Sequence, residues 1–456
     1  MNINPDIFRQ YDIRGIVDKD LTPETVERLG KGIGTYIRQH NRNEVALGRD
    51  CRISSPAFAD ILTKGLLSTG CSAVDLGIIP TPLLYFAIYD KHKEAGIIIT
   101  GSHNPPEYNG FKIMVGEDTL FGPAIQDIYT IIKEGSFTQQ EGGSRTSSSI
   151  ISEYEDFIIK DVRLDKKLKV VIDAGNGTAG IVASPIFKRL GCEVVELYCE
   201  MDGTFPNHHP DPTLPEALQD LIKTVSETQA DLGIAYDGDG DRIGVIDDEG
   251  SIIWGDQLMI IFARDILPKN PGATIISEVK ASKLLYDEVQ NLGGRPVMWK
   301  TGHSLIKKKI KEDKALLAGE MSGHIFFADR YFGFDDAIYS SARLLEIVSR
   351  SDKKLSQMLS DLPQMVHTPE IRIYASDQVK FIIVEEVKKE LSQKYPIIDI
   401  DGVRANYPTG WALVRASNTQ ENLVLRFEAK TQEDLEAIKK EVEQTVEKVI
   451  QRLADT

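Results

Sequence analysis

The loop TGSHNPPEYNGFK at residues 100–112 carries one hydroxyl nucleophile, Ser102, between a glycine and a histidine. The loop starts at the end of the apolar run AGIIIT, residues 95–100, which has the composition of a buried strand. Its glycines, Asn104 and two adjacent prolines favour turns and stop a helix. A serine exposed at the end of a strand is placed to react, but a lone loop serine is more often structural. Its role therefore depends on the other loops of the chain.

A second loop, DGDGDR at residues 237–242, follows the apolar run 232–236. Asp237, Asp239 and Asp241 alternate with glycines that let the backbone curl, so their carboxylates can point at one hard cation. Like charges this close repel one another without a cation, which disfavours an ordinary acidic surface turn. The loop therefore predicts a metal site.

The acidic loop could also belong to an EF-hand or to an aspartyl phosphatase. An EF-hand needs glycine at its sixth position and a bidentate glutamate at its twelfth, where this chain has Arg242 and Asp248. An aspartyl phosphatase would use Asp237 as nucleophile and Asp239 as acid and base, and it would leave Ser102 without a role. The EF-hand fails on these positions, and the phosphatase stays open.

The composition is that of a sizeable globular protein. The 456 residues correspond to three or four domains, and 41% of them are hydrophobic. The 53 basic and 69 acidic residues give a net charge of −16, which argues against nucleic acid or an anionic membrane as partner. The four cysteines form no CxxC pair, so we expect reduced thiols and a cytoplasmic location. A polar N-terminus and the lack of an apolar run of ~18 residues predict no signal peptide and no membrane span.

A repeated unit must position the loops. A β-rich run, a helix of 3.6-residue periodicity, a glycine stop and another β-rich run occur three times, starting at VALGRD, KVVIDAGNG and TIISEVKAS. Each unit is followed by a strand that ends in a distinctive loop: GSHN, DGDGDR and GEMSGH, the last at residues 319–324. The βαβ order implies a parallel or mixed sheet with ligands beyond the carboxyl ends of its strands. Three equivalent domains would therefore present three loops to one cleft.

The C-terminal part has a different order of elements and predicts a separate α+β domain. One face of its last helix carries Leu435, Ile438, Val442, Val446, Val449, Ile450 and Leu453. The loop RASNTQEN, residues 415–422, lies between two β-runs and offers a guanidinium, side-chain donors and backbone amides, which suit a phosphate. The donors are Arg415, Ser417, Asn418 and Thr419. An ordinary hairpin turn is the alternative in isolation, and the other three loops favour the phosphate site.

Composition also suggests boundaries between domains. The Gly/Ser/Thr/Gln-rich stretch 135–149 has the character of a linker, and turns at 247–250 and 359–370 close the next two units. We expect domains at residues 1–148, 149–250, 251–363 and 364–456.

The motifs TGSHNP, DGDGDR, GEMSGH and RASNT, in this order and with YDIRG near the start, resemble those of the α-D-phosphohexomutase family. They are most similar to its bacterial phosphomannomutase/phosphoglucomutase branch, and the resemblance covers the whole chain. It implies three similar mixed-sheet α/β domains plus a C-terminal α+β domain around a central cleft. It also implies a reversible interconversion of hexose 1-phosphate and hexose 6-phosphate, of mannose, glucose or both. The reaction would use a phosphoserine enzyme and a hexose 1,6-bisphosphate as intermediate and activator.

The resemblance also implies roles for single residues. Ser102 would carry the phosphoryl group and, with Asp237, Asp239 and Asp241, would hold one Mg²⁺. Catalytic roles fall to Ser102, Arg14, Lys112, Arg242 and His324. Positions around the sugar are Tyr11, Lys280, His303, Glu320, Ser322 and His324, and the phosphate that is not transferred would lie on Arg415, Ser417, Asn418 and Thr419. His303, His324 and Lys112 are all candidates for the group that moves the proton.

Two other functions remain compatible with the sequence. A phosphoglucosamine mutase would need a third loop that recognises an amino group, which GEMSGH mildly disfavours. A noncatalytic sugar-phosphate-binding protein would keep the cleft, but the intact serine and aspartates argue against it. In each case the partners are small sugar phosphates, and we expect a monomer because no exposed heptad or apolar patch is visible.

Three further motifs are predicted to be structural. GKGIG at residues 30–34 resembles a dinucleotide fingerprint, but no strand precedes it, so we predict a helix with small residues in its packing face. Lys307–Lys309 and Lys311 are expected on a solvated helix face rather than in an anion site. His208 and His209 lack metal-binding partners at suitable spacing and are expected in a loop that lines the cleft.

Overall fold

The computed structural model describes residues 3–418 and 420–454. Its strands form four sheets, and each sheet is made from one continuous segment of the chain. Across these described residues, no helix has both the length and the apolar character that crossing a membrane requires. Three mixed-sheet α/β domains followed by an α+β domain, as predicted, are confirmed.

The first sheet contains β1 (Ile13–Ile16), β2 (Glu44–Arg49), β3 (Ser72–Ile78), β4 (Ala95–Ile99), β5 (Tyr108–Val115), β6 (Asp118–Thr119) and β7 (Arg145–Ser147). The helices of this segment are α1 (Pro23–Gln39), α2 (Ser55–Leu67), α3 (Thr81–Tyr89) and α4 (Pro123–Glu134). The strand order is β1-β5-β4-β2-β3-β7, with β6 paired to β5.

The second segment begins with α5 (Ile151–Asp161) and contains β8 (Lys169–Asp173), α6 (Gly180–Arg189), β9 (Glu193–Leu197), α7 (Gln219–Thr228), β10 (Leu232–Tyr236), β11 (Ile243–Ile246) and β12 (Ile252–Ile253). The third contains α8 (Gly255–Ile266), β13 (Thr274–Glu278), α9 (Lys283–Asn291), β14 (Arg295–Trp299), α10 (His303–Asp313), β15 (Leu317–Gly319), β16 (Ile325–Phe327) and α11 (Ala337–Arg350). Their sheets have the orders β12-β11-β10-β8-β9 and β14-β13-β15-β16.

One four-strand pattern occurs in all three sheets. It is β5-β4-β2-β3 in the first, β11-β10-β8-β9 in the second and β16-β15-β13-β14 in the third. In each, the first pair is antiparallel and the other two pairs are parallel. The threefold repeat predicted from the sequence is therefore present, and β4, β10 and β15 are equivalent strands.

The fourth sheet is antiparallel and has a different plan. It contains β17 (Val366–His367), β18 (Ile371–Tyr374), β19 (Ile397–Ile398), β20 (Val403–Asn406), β21 (Gly410–Ala416) and β22 (Asn422–Ala429), with α12 (Lys380–Leu391) and α13 (Gln432–Ala454) packed on it. The apolar face predicted for the last helix lies in this core, with Leu435, Ile438, Val442, Val446 and Val449 buried and Ile450 and Leu453 partly buried.

Two short strands lie where composition predicts linkers or boundaries. Residues 145–147, inside the predicted linker 135–149, form β7 and pair with β3. Residues 252–253, just beyond the predicted boundary at 250, form β12 and pair with β11 of the second sheet. Both segments cover the edge of a sheet, whose backbone groups would otherwise lack partners. Segments without a strand pattern in their sequence therefore form strands where they pair with the edge of a sheet.

A single hydrophobic core joins the first three segments. It contains Phe86 of α3, Phe187 of α6, Phe262 of α8 and Tyr339 of α11, all almost fully buried. Because protein interiors are close-packed, a shared core of this kind leaves little freedom for one segment to shift against the next. The three sheets are therefore held in a defined mutual placement.

The GKGIG motif lies in α1, as predicted, and its first glycine, Gly30, allows α1 to touch α2. A Cβ on Gly30 would lie 2.4 Å from the Leu62 carbonyl oxygen and 3.0 Å from the Gly65 Cα. The two helix backbones are thus in direct contact, and the motif has a packing role.

We expect Gly30→Val to destabilise the first segment by about 1–3 kcal/mol, because the added atoms must push α1 away from α2. Lys31→Val is the matched control, since Lys31 is half-buried and pairs with Glu27 on the helix surface. The urea midpoint of the first unfolding transition measures the effect. Equal midpoints for Gly30→Val and the control would contradict the close contact.

Candidate active site

The three distinctive loops occupy equivalent places in the three repeats. Each connects one of the equivalent strands β4, β10 and β15 to its antiparallel neighbour. The loops meet across domain boundaries, since Ser102 Oγ of the first loop donates to Asp237 Oδ2 of the second (2.7 Å) and the Ile243 amide, directly after the second loop, donates to the Gly323 carbonyl of the third (3.0 Å). The predicted meeting of the loops is therefore observed.

Ser102 lies against the acidic loop. Its Oγ donates a hydrogen bond to Asp237 Oδ2 (2.7 Å) and lies 3.1 Å from His103 Nδ1. The side chains of Ser102 and Asp237 belong to different domains and are both buried. The contact joins the nucleophile of the first loop to the carboxylates of the second.

The three aspartates of the second loop are fully buried, and two of them, Asp239 and Asp241, pair with Lys112 of β5. Lys112 Nζ donates to Asp239 Oδ2 (2.8 Å) and to Asp241 Oδ2. Thr81, at the start of α3, also donates to Asp239 Oδ2 (2.6 Å). The first domain thus supplies both the nucleophile and the charge that balances the carboxylates.

This burial perturbs the acidity of the cluster. Burial and repulsion from Asp239 and Asp241 raise the pKa of Asp237 well above its ordinary value. Burial alone would lower the pKa of Lys112, but attraction to Asp239 and Asp241 dominates and holds that pKa well above its usual range. Lys112 is therefore protonated at neutral pH.

The carboxylate cluster fits a hard cation. Asp237, Asp239 and Asp241 offer oxygen atoms within 4.8 Å of one another. Among the described residues, Asp239 Oδ1 and Asp241 Oδ1 are buried without a hydrogen-bond partner, although buried polar atoms normally have one. Oxygen-only donors of this kind are preferred by Mg²⁺ and Ca²⁺.

The two predicted catalytic arginines lie at the same loops. Arg14 of β1 donates from NH1 to Asn104 Oδ1 (3.0 Å) and pairs with Asp12 (2.5 Å). Arg14 therefore contacts the serine loop, the loop at residues 100–112 that carries Ser102. Arg242 ends the metal loop, the acidic loop at residues 237–242. It donates from Nε to His324 Nε2 (3.1 Å) and so links the metal loop to the third loop.

A second buried charge cluster lies behind His303 and His324. The carboxylate of Asp335 has its Oδ2 3.1 Å from His324 Nδ1 and 3.4 Å from His303 Nδ1, and the two imidazole rings stack with centroids 5.3 Å apart. Because Arg242 can only donate, His324 Nε2 must accept, which places the proton of the neutral ring on Nδ1, facing Asp335. The Asp335 carboxylate is thus the nearest acidic group to both rings.

Lys307 also belongs to this second cluster, and the prediction that it lies on a solvated helix face is wrong. The helix pattern predicts a solvated position, but the side chain is buried, donates to Asp335 Oδ1 (2.9 Å) and lies over the Tyr85 ring (4.0 Å). The pattern could not reveal this, because the face of α10 that carries Lys307 is covered by residues distant in sequence. Burial lowers the pKa of Lys307, although Asp335 opposes the shift.

Sequence reasoning also missed Asp335. It directly precedes Asp336, the residue before the first turn of α11. Two adjacent aspartates before a helix suggest ordinary capping, and Asp336 does accept from the Tyr339 amide (2.8 Å). Only the fold shows that Asp335 turns toward the histidines.

The third loop carries a buried carboxylate at its start. Glu320 Oε1 accepts from the Gly302 amide (2.7 Å), and burial raises the pKa of Glu320. Ser322, two residues later, is half-buried. Lys280, predicted beside the sugar, is buried and pairs with Glu370 of the fourth segment (2.7 Å).

The fourth loop reaches the same region from the C-terminal domain. Arg415 is buried and its Nε pairs with Asp401 (3.1 Å), while Ser417 Oγ accepts from the Gln420 amide (3.1 Å). Thr419, also predicted as a phosphate ligand, lies outside the described residues. The guanidinium and hydroxyl therefore sit at the turn between β21 and β22.

Tyr11 connects three domains at one hydroxyl group. The hydroxyl donates to the Thr301 carbonyl (2.8 Å) of the third domain and accepts from Asn418 Nδ2 (2.8 Å) of the fourth. Burial raises the pKa of Tyr11 to about 12. The predicted residues Tyr11 and Asn418 are thus in direct contact.

His208 and His209 lie in a loop beside the acidic turn. His208 Nε2 lies 3.0 Å from Asp173 Oδ2, and its Nδ1 lies 2.9 Å from the His209 carbonyl oxygen. Both ring nitrogens of His208 thus have partners from the protein, which suits a structural role.

The chain matches four family models along its length. They are the phosphoglucomutase/phosphomannomutase alpha/beta/alpha domains I, II and III at residues 5–139, 152–250 and 254–366, and the C-terminal domain at residues 370–445. The chain belongs to the α-D-phosphohexomutase family, in the bacterial phosphomannomutase/phosphoglucomutase branch.

Individual relatives agree with the family models. A phosphomannomutase/phosphoglucomutase of Pseudomonas syringae pv. tomato is 50% identical over 438 residues, covering 96% of this chain and 94% of that protein. A phosphoglucomutase of Neisseria meningitidis is 46% identical over 450 residues and 98% of each chain. The crystal structure of a phosphoglucomutase/phosphomannomutase family protein from Burkholderia thailandensis is 41% identical and superposes with a TM-score of 0.93 over 98% of each chain.

We expect Asp335→Asn to lower the free energy of unfolding by about 3–5 kcal/mol, because it leaves the buried Lys307 ammonium without its partner. The double variant Asp335→Asn/Lys307→Met should recover part of this loss, since no charge is then left unpaired. Asp118→Asn, which removes an exposed ion pair with Lys311, should cost at most about 1 kcal/mol. Urea unfolding measures all three variants. An Asp335→Asn protein as stable as the Asp118→Asn control would contradict the buried pair.

Proposed function

We propose that Ser102 carries the phosphoryl group as this chain interconverts hexose 1-phosphates and hexose 6-phosphates. The proposal rests on one observation above all. The Ser102 hydroxyl lies in hydrogen-bond contact with a buried group of three carboxylates, in a chain of the phosphohexomutase family. Mannose and glucose phosphates are the substrates that the names of the relatives support.

The reaction requires a residue that donates a phosphoryl group to the sugar and later accepts one back. The P–Oγ bond of phosphoserine breaks while a bond forms between phosphorus and the free hydroxyl oxygen of the sugar. Overall, the proton of that hydroxyl replaces the phosphoryl group on Ser102, and a hexose 1,6-bisphosphate results. Transfer of the other phosphoryl group back to Ser102 then completes the interconversion. Arg14, which contacts Asn104 of the loop that carries Ser102, and Arg242 and Lys112 at the acidic loop would supply positive charge to the phosphoryl oxygens.

The acidic loop is the proposed metal site. Asp237, Asp239 and Asp241 would hold one Mg²⁺ together with an oxygen of the phosphoserine. Bound Mg²⁺ would supply charge that stabilises the transferring phosphoryl group.

His324 is the group that we propose to move the proton. Lys112 Nζ donates hydrogen bonds to Asp239 and Asp241, which favours a role in charge stabilisation over a role as a base. His324 would accept the proton on Nε2 once Arg242 releases this nitrogen, and Asp335, 3.1 Å from Nδ1, would stabilise the resulting imidazolium. His303 shares the same Asp335 carboxylate and would line the sugar site.

The third and fourth loops would bind the rest of the substrate. Glu320 and Ser322 are proposed to bind sugar hydroxyls, and Lys280 and Tyr11 border the same space. Arg415, Ser417, Asn418 and Thr419 would hold the phosphate that is not being transferred. The bisphosphate must turn end for end between the two steps, so this site has to accept either phosphate. Action as a monomer and a cytoplasmic location stay predictions.

Replacing Ser102 by alanine tests the proposal directly. We expect Ser102→Ala to lower turnover of glucose 1-phosphate and mannose 1-phosphate by at least about a thousandfold, because no group is left to carry the phosphoryl group. Coupled assays of 6-phosphate formation measure the rates. Ser68→Ala, outside the site, is the matched control. Near-normal turnover by Ser102→Ala would exclude the phosphoserine route.

Metal binding gives a readout that does not depend on turnover. We expect Asp239→Asn to weaken Mn²⁺ binding by at least about tenfold in titration calorimetry, since even outer partners of metal ligands contribute that much. Asp231→Asn is the control, because Asp231 accepts from the Lys169 amide at the surface. Unchanged Mn²⁺ affinity in Asp239→Asn would remove Asp239 from the site.

A further inference from the structure

Arg52 lies beneath the serine loop and donates hydrogen bonds to several of its backbone carbonyl groups. The guanidinium is buried and donates from NH2 to the carbonyls of Ser102 (2.8 Å) and Asn104 (2.5 Å). From NH1 it donates to the carbonyls of Pro105 (2.6 Å) and Tyr108 (3.0 Å). Four carbonyls of one loop therefore converge on a single side chain, a geometry that the planar guanidinium suits and an ammonium does not.

Asp50 fixes Arg52 and the start of the loop together. Its Oδ2 accepts from Arg52 Nε (3.1 Å) and from the Gly101 amide (3.1 Å). Its Oδ1 accepts from the Arg52 amide (3.0 Å) and from Ser55 Oγ (2.5 Å). The buried ion pair thus has a full set of hydrogen bonds, the condition under which buried charges are tolerated.

Two further groups pack against the guanidinium. The Phe205 ring of the second domain lies 5.0 Å from Arg52 Cζ, within the range of a cation–π contact. On the serine loop, a Cβ at Gly101 would lie 2.5 Å from that Cζ, so only glycine fits there. The contacts of Arg52 therefore reach from the first domain to the second.

The Ser102 carbonyl is enclosed between Arg52 and the metal loop. A Cβ on Gly238 would lie 2.5 Å from the Ser102 carbonyl oxygen, so the two loops touch at this point. Ser102 itself has a φ of 48°, in the left-handed region. For a residue other than glycine this conformation is strained and persists only where the surroundings hold it. The contacts of Arg52 supply that restraint on the C-terminal side of Ser102.

We propose that Arg52 is the positioning residue of the nucleophile: it holds Ser102 in the left-handed conformation that points Oγ at Asp237. This inference rests on the proposed function of Ser102 as phosphoryl carrier. The hydrogen bonds that Arg52 donates to the serine loop and to Asp50 end within the first domain, whereas the sugar and the second phosphate would bind at the third and fourth loops. Its loss therefore affects the transfer step and leaves substrate binding largely unchanged.

Steady-state kinetics of Arg52→Lys test this role. We expect kcat for glucose 1-phosphate to fall by about a hundredfold with little change in KM, because a displacement of about 1 Å in a reacting group costs that much. Arg49→Lys is the matched control, since Arg49 lies in the same segment but pairs with Asp75 away from the loop. Circular dichroism and thermal unfolding establish that each variant is folded. Folded Arg52→Lys with wild-type kcat, or with a loss confined to KM, would overturn the proposal.

Single-turnover phosphorylation separates this proposal from the proposed function. Dephosphorylated protein is mixed with glucose 1,6-bisphosphate, and intact mass follows the gain of one phosphoryl group on Ser102. We expect a slow gain in Arg52→Lys and a fast gain in wild type and in Arg49→Lys. If wild type gains the group but does not turn over hexose 1-phosphates, the proposed function fails while the role of Arg52 stands. Equal phosphorylation rates in all three proteins would refute the role of Arg52.

Two further variants distinguish positioning from mere stability. Added guanidinium ion should restore part of the phosphorylation rate to Arg52→Ala, because it can bind the same carbonyl groups. Asp50→Asn, which keeps Arg52 but loosens it, should lower kcat in the same direction and by less. The proposal would also be overturned if guanidinium ion failed to rescue a folded Arg52→Ala protein and Asp50→Asn had normal kcat. If neither Arg52 variant folds, the kcat of Asp50→Asn decides whether the proposal stands.

Discussion

Three buried carboxylates share one short turn, and the rest of the site depends on how their charge is balanced. Removing such charges from water costs several kcal/mol each unless partners compensate them. The second domain alone does not supply the balance, because the ammonium between Asp239 and Asp241 belongs to Lys112 of the first domain. Packing of the two domains therefore gives the acidic loop its hydrogen-bonded cation, and the same packing brings Ser102 to Asp237.

The repeated topology explains why this packing is possible. Equivalent strands β4, β10 and β15 each end in a loop that turns back into an antiparallel neighbour. Helices of all three domains then enter one core, so the three loop-bearing edges are held close together. The site is thus assembled by rigid elements, and each loop is short enough to keep its side chains where the strands place them.

Most charged groups of the site are already held by other residues of the protein. Asp335 lies close to two imidazoles and accepts a hydrogen bond from Lys307, while Arg52 holds the carbonyls of the serine loop. Such preorganisation matters for phosphoryl transfer, because positioning and charge stabilisation supply nearly all of the rate enhancement. Residues that do not contact a substrate therefore also contribute to the reaction, because they hold the charged groups in position.

The repeats, the four loops and the chemically important side chains within them can all be recognised in the amino-acid sequence. These features are local, because strand and helix periodicity, glycine turns and alternating aspartates each extend over a few residues. Which side chains meet depends instead on the tertiary structure. Ser102 and Asp237 are separated by 135 residues, and Lys307 changes from an expected surface lysine to a buried partner of Asp335. Arg52 and Asp335 carry no local pattern that distinguishes them from ordinary polar residues. Their roles arise from burial and from partners distant in the chain, and both depend on how the domains pack.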